Sequence, residues 1–440
     1  MVFNYYDYNN NYLFCNTLIY MNYTIYIDKI LLKLNQNEIS KNNNKDKKIY
    51  LIIMIIIIII YFAIVISTEL TYRKKLFEKS ITYQEDLREK YDKDSAFYNC
   101  WKFFSFLGTN MFCFIAFAII FLFFPLNKSF LVLQTLNFSN YLTNLFKMIY
   151  RNPRPYWESK ILDIVCNSGY GNPSGHSLVS LSFFLVSAHI VTSFNFFRKT
   201  SKGKILRIII FSFLVIISCL IIISRVLLSA HSINQIIYGS LLGIGIYFLE
   251  IYIISYHTYS SNEFIQHMTN IRNIIIYLAI YIIMIILLLV IYFSIDDDRK
   301  IERNIYRNVF NDIKCKTKRK YELLKNDGFT QGLCITSLLG AYLGIILLIY
   351  LLKKLKYSVE YINEFNSSSI KRWIIRFPIL ILSGIFFILY LVIPKSSPLS
   401  IIIIFKFALA FFFTGFGVYF LGIFLCVYFN FSNENIKKIA

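Results

Sequence analysis

The sequence predicts an all-α fold, a polytopic membrane bundle of about ten spans built around a six-helix core. Three observations predict it: 440 residues that are 57% hydrophobic, apolar runs longer than a soluble core needs, and Lys and Arg gathered between those runs.

The first run, Ile49 to Ser67, holds eight Ile between Ile52 and Ile60 broken only by Met54, and no charge. As a helix it is long enough to cross the roughly 30 Å hydrocarbon layer. Further runs follow near 106–126, 130–150, 175–195, 206–229, 232–256, 273–294, 332–352, 373–394 and 399–429. Residues 1–48 mix Asn, Tyr and scattered apolar residues with no basic stretch leading into a clean apolar one. No cleaved signal peptide is expected, so 49–67 is the expected targeting segment. This divides the chain into a polar cytoplasmic tail (1–48), a six-span core (49–256) and additional spans and loops (257–440).

With 1–48 in the cytoplasm, three spans carry Lys147 through Pro173 to the far side, and two more return Arg225 and His231 to it. Arg198, Lys199, Lys202, Lys204 and Arg207 then fall in one cytoplasmic loop and Lys353, Lys354 and Lys356 in another, as the positive-inside rule asks. Segment 295–331, also rich in Lys and Arg, breaks that rule, since parity makes it lumenal. Segment 68–102 carries mixed charges and helix formers from Glu69 to Lys93, and is expected to be a solvated surface helix, with a lid as the alternative. The net charge of +21 is thereby assigned to topology and lipid headgroups, and nucleic acid is not an expected partner. The eight Cys form no metal-ligand spacing, so no metal site is expected; Cys100, Cys166 and Cys315 lie in polar loops, where a disulfide is an open alternative.

Three segments carry chemistry. In the first, Lys147 ends an apolar run and Arg154 follows Pro153, which interrupts the helix. Alone, the pair reads more readily as snorkelling anchors beside an interfacial Trp157. The second, Pro173-Ser174-Gly175-His176, opens the next run. Pro, Ser and Gly at a helix start leave backbone N–H groups and the positive end of the dipole facing an anion, with His176 beside them. The third runs from Ser224 and Arg225 to His231 and Gln235. A charge at the edge of apolar helices calls for a partner, and an anionic substrate is one. His231 and Gln235, four residues apart, are expected on one helix face, so that the amide reaches the imidazole. Together the segments supply three cations, two histidines and a helix N-terminus, which is what phosphoryl transfer needs.

This set resembles the type 2 phosphatidic acid phosphatase superfamily, whose pattern is Lys-x6-Arg-Pro, then Pro-Ser-Gly-His, then Ser-Arg-x5-His-x3-Asp. The resemblance covers roughly residues 100–256. It implies that His231 is the nucleophile forming a phosphohistidine and His176 the general acid. Lys147, Arg154, Ser174, Gly175 and Arg225 would hold the phosphate, with no metal or other cofactor. Gln235 stands where the family usually has Asp. The glucose-6-phosphatase branch has Gln there and is similar in three further features: Arg154 to Trp157, Cys166 ten residues before His176, and additional spans beyond the core, here from 273 to 429.

The resemblance implies an endoplasmic reticulum phosphatase acting on a sugar phosphate such as glucose 6-phosphate. The alternatives are a lipid phosphate phosphatase (phosphatidate, isoprenoid or sphingoid phosphate) and a non-catalytic membrane anion-binding protein. Lys437 and Lys438 look like a dilysine retrieval signal. A lumenal pocket would bring a substrate transporter in as a partner, beside the membrane lipids themselves.

Overall fold

The computed structural model describes residues 44–91, 95–159, 161–162, 169–193, 200–254, 261–295, 324–355, 387–394 and 398–428, with isolated residues at 377–378, 381 and 385. The chain falls into two compact units, Met1–Ile57 and Ile58–Ala440. In the first, the described residues are the opening turns of a helix.

That helix, α1, runs from Asn44 to Lys90. Neither Pro nor Gly occurs in it, so nothing breaks the backbone hydrogen bonding at the end of the apolar run. At 47 residues it is roughly 70 Å long, far more than a bilayer crossing takes. The expected separate surface helix is therefore corrected: 68–90 continues the first span, and Glu69, Ser80 and Gln84 on it are buried.

The run expected at 106–126 is likewise corrected. It belongs to a pair, α2 (Ala96–Leu107) and α3 (Asn110–Phe123), bent by 46°. The bend falls where Gly108 ends one helix and the Thr109 side chain caps the next by accepting from Phe112 N. After Pro125 comes α4 (Leu126–Tyr150), then the short α5 (Pro155–Glu158), α6 (Gly175–Val191), α7 (Ser201–Leu227) and α8 (Ile233–Phe248), the last extended by the π-helical Leu249–Ile254. Beyond these lie α9 (Ser261–Thr269), α10 (Ile271–Ser294), α11 (Leu324–Gly332), α12 (Ile335–Lys354), α13 (Phe387–Val392) and α14 over residues 399–428.

No strand occurs among the described residues. Among the described residues, six helices are long and apolar enough to cross a membrane, seven if the bent pair counts as one. Their outward faces are apolar, with Ile52, Ile59, Ile208, Ile216 and Ile283 all exposed. The helices support a multi-spanning all-α bundle; among the described residues the count stops short of the expected ten, as α4 is rich in Asn, α6 has 17 residues and most of run 373–394 is not described. Most of run 373–394, the basic loop over 296–323 and the C-terminal Lys437 and Lys438 lie outside the described residues.

Two small residues set the packing that matters here. A Cβ on Gly239 would stand 2.6 Å from the Ser174 carbonyl oxygen, and one on Gly243 2.7 Å from that of Leu178. This Gly-x-x-x-Gly stripe lets α8 press directly on the start of α6. Val65 of α1 packs with Leu178, Tyr238, Leu242 and Ile246, and the Tyr61 hydroxyl donates to the Leu241 carbonyl at 2.8 Å. The C-terminal helices dock on α4 through Ser337 Oγ, which donates to Asn137 Oδ1 at 2.8 Å.

Candidate active site

The three motifs sit at helix ends that gather at one end of the bundle. Helix α4 ends at Tyr150, with Arg151 in the left-handed region (φ 51°, ψ 33°), and this turn swings Asn152 to Arg154 out of the helical path. Arg154 is extended and begins α5, whose Trp157 is buried, with Tyr156 and Tyr170 as ring neighbours. Burial of both Arg154 and Trp157 excludes the reading as interfacial anchors. Helix α7 ends at Leu227, and a turn through Ser229 (φ 53°) follows. There the Ala230 and His231 N–H groups both donate to the Arg225 carbonyl, at 3.0 and 3.1 Å.

His231 lies ahead of α8 rather than on it, which corrects the expectation of a shared helix face. Gln235 reaches it by another route: it closes a capping box with Ser232, folding its side chain back over the helix start. Gln235 Nε2 donates to the Pro153 carbonyl at 2.7 Å, which fixes the amide orientation. Its Oε1 then faces His231 Nδ1 at 3.2 Å, and the Gly171 carbonyl faces the same nitrogen at 2.8 Å. Both partners are acceptors, so Nδ1 carries the proton and Nε2 the lone pair. Arg154 Nη1 stands 3.2 Å from that Nε2, while its Nε donates to the Gly169 carbonyl at 2.9 Å and Nη1 also to that of Ala230 at 3.0 Å.

Gly171 permits this assembly. A Cβ there would lie 2.5 Å from Gln235 Nε2 and 2.6 Å from the Pro153 oxygen. The second motif is locked to the third by the Ser174 N–H, which donates to the Gln235 carbonyl at 3.0 Å. Ser174 caps α6, its Oγ accepting from Ser177 Oγ at 3.0 Å and Ser177 N at 3.4 Å. Its own hydroxyl proton is left for a further acceptor, beside the free N–H groups of the first helical turn. Lys147 Nζ would be 3.9 Å from a Cβ on Gly175, and the His176 ring borders Gly108 at the bend between α2 and α3.

Burial pushes the His231 pKa well below the usual imidazole value, and the charges of Arg154, Arg225 and Lys147, with His176, push it the same way. These groups therefore converge on one imidazole, which stays neutral at pH 7. The buried Arg225 donates through Nη1 to Ser105 Oγ, and its Nε has no hydrogen-bond partner among the described residues. A buried cationic N–H without a partner is costly unless an anion meets it.

Sequence reasoning missed several residues around this centre. Gln84 Nε2 donates to the carbonyls of Val226 and His231, both at 2.9 Å. Glu69 accepts from Asn172 and Asn234, and Ser105 anchors Arg225. Asp327 of α11 reaches Gly169, where a Cβ would meet its Oδ2 at 2.6 Å. A signal existed for the α1 residues, since 69, 73, 80 and 84 fall on one helical stripe; nothing local marks Ser105 or Asp327. Cys100 is a free thiol, and Cys166 and Cys315 lie outside the described residues. No cluster able to ligate a metal occurs among the described residues.

No curated protein and no solved structure matches the chain. The family model described as PAP2 superfamily matches residues 128–259, a segment that holds Lys147, Arg154, Ser174, His176, Arg225, His231 and Gln235 together. That match reaches the superfamily and not a branch within it, and it supports placing this chain in the PAP2 superfamily.

Proposed function

We propose that the chain is a membrane-embedded phosphatase that hydrolyses a phosphate monoester through a phosphohistidine on His231. The observation that carries this reading is the polarity of that imidazole: Nδ1–H held by the Gly171 and Gln235 oxygens, Nε2 unprotonated and facing the Arg154 guanidinium. The match to the PAP2 superfamily model supports a phosphatase-type activity.

In the first step the Nε2 lone pair forms a bond to phosphorus as the P–O ester bond breaks, and His176, protonated when the negative charge of the bound phosphate offsets the surrounding cations, gives that proton to the departing alkoxide. Arg154 leaves Nε2 for a phosphoryl oxygen, joining Lys147, Arg225 and the N–H groups at the start of α6. In the second step water attacks phosphorus, His176 takes its proton, the P–N bond breaks and inorganic phosphate leaves. His231 returns to its neutral form.

For the leaving alcohol we favour a sugar phosphate, most simply glucose 6-phosphate, hydrolysed on the lumenal side of the endoplasmic reticulum. Gln235 and the Arg154-to-Trp157 run support that choice. So does Asp327, because a carboxylate beside Gly169 suits a hydroxylated leaving group better than an acyl chain. Phosphate release from glucose 6-phosphate and from phosphatidate, measured side by side on membranes containing the chain, tests it. Turnover of phosphatidate alone would overturn the sugar assignment, and turnover of neither or labelling elsewhere than His231 the mechanism.

A further inference from the structure

Helix α1 lies outside the family-matched segment, yet it touches the motif loops at four levels. Glu69 Oε1 accepts from Asn172 Nδ2 at 2.7 Å and from Asn234 Nδ2 at 3.1 Å. One turn on, Arg73 Nη1 donates to Asn152 Oδ1 at 3.4 Å. Further along, Ser80 Oγ accepts from Ile233 N at 3.0 Å, and Gln84 holds the His231 carbonyl. At 100° per residue, positions 69, 73, 80 and 84 share an arc of about 60°, so one face of the helix makes all four contacts.

The two amides on Glu69 occupy informative places. Asn172 directly follows Gly171, and Asn234 directly precedes Gln235, so each adjoins one of the two acceptors of His231 Nδ1–H. Asn234 is held in turn by Ser232 Oγ, which donates to its Oδ1 at 2.7 Å. Glu69 is nearly inaccessible to solvent, at 7% exposure, and its Oε1 accepts from both amides at once, which offsets the cost of burying it. A buried acid of this kind, shared between two loops, holds them at one separation.

We infer that Glu69 is a positioning residue for the nucleophile, clamping the Gly171 loop to the start of α8 so that both acceptors of His231 Nδ1–H stay in register. The inference rests on the reading of His231 as nucleophile. It also gives an acid a role one layer out from the neutral Gln235. The clamp acts on the attack step and leaves the phosphate-holding cations in place.

Glu69→Met keeps the length of the side chain and removes the acceptor, while Glu69→Gln restores one oxygen. The test measures single-turnover labelling of His231 by p-nitrophenyl phosphate, and affinity for vanadate, in the full-length chain. Glu69→Met should label about tenfold or more slowly, with vanadate affinity within about threefold of wild type, and Glu69→Gln should recover much of the rate. Equal labelling rates in Glu69→Met and wild type overturn the inference, as does a parallel loss of rate and vanadate affinity, which marks a merely structural role. If Glu69→Met does not fold, Asn234→Ala takes its place: slower labelling with vanadate affinity kept supports the clamp, and an unchanged rate overturns it. A wild-type chain that never labels at His231 removes the nucleophile and the clamp together, whereas failure of the variants alone removes only the clamp.

Discussion

Arg154 Nη1 stands 3.2 Å from His231 Nε2, on the edge of the ring opposite the bond from Nδ1 to the Gly171 carbonyl. The imidazole is thus held from both sides in one tautomer, and the cation on the Nε2 side opposes a second proton. The same guanidinium sits where an incoming phosphoryl group would draw it away.

This arrangement predicts how stability varies with pH. The folded-state pKa of His231 lies below its unfolded value of about 6.5, so the unfolded chain takes up the proton first as pH falls. The contribution of His231 is complete above about pH 6.5 and declines below it, levelling off under the folded pKa. Unfolding midpoints at pH 7.5 and 5.5 should show a loss in wild type that is smaller in His231→Gln.

The two histidines should separate kinetically. His231→Ala should abolish phosphoenzyme formation with every substrate. His176→Ala should still label with p-nitrophenyl phosphate, whose leaving group needs little protonation, while losing about 10²–10⁴-fold in rate on an alkyl phosphate. Rapid-quench labelling of both variants checks the order.

Replacing Gln235 with Glu puts a formal charge beside Nδ1–H in place of the amide oxygen. The His231 pKa should rise, and the acid limb of the pH–rate profile with it, although the bond to the Pro153 carbonyl is lost. A profile that does not move towards higher pH would refute the contact.

Gly171→Ala should be far worse than its size suggests. The added methyl would overlap the Gln235 amide and the Pro153 oxygen, for which overpacking costs of about 1–3 kcal/mol apply. Activity should fall sharply, with an unfolding midpoint lowered by several degrees. Gly175→Ala, with its nearest neighbour Thr143 Cγ2 at 3.1 Å, should be tolerated better in stability.

Much of the candidate site was legible because its residues fall at the boundaries of apolar runs, and because the chain holds only five His. Lys147, Arg154 and Arg225 were singled out by their place and spacing, and the ends of the apolar runs put each of them, with His176 and His231, near a helix end. The Gln235 contact was anticipated with the wrong geometry, because four-residue spacing does not tell a helix face from a capping box. The role of 68–90 was hidden for a different reason. Its mixed charge resembles a solvated surface, and which polar side chains are buried depends on neighbours more than 70 residues away, such as Asn152, Asn172 and Asn234. Ser105 and Asp327 are ordinary residues whose meaning comes only from what they face.

The seating of α11 has a practical consequence. A Cβ on Gly328 would stand 2.9 Å from Met148 Cγ, immediately beside Lys147, and Asp327 lies against the loop whose Gly169 carbonyl holds Arg154. A chain cut after residue 259 would keep every motif and lose the α11 residues packed against Met148 and Gly169. Chimeras or minimal versions of this protein should therefore be drawn around spatial neighbours, from α1 through α12, and not around the stretch of sequence that bears the signature.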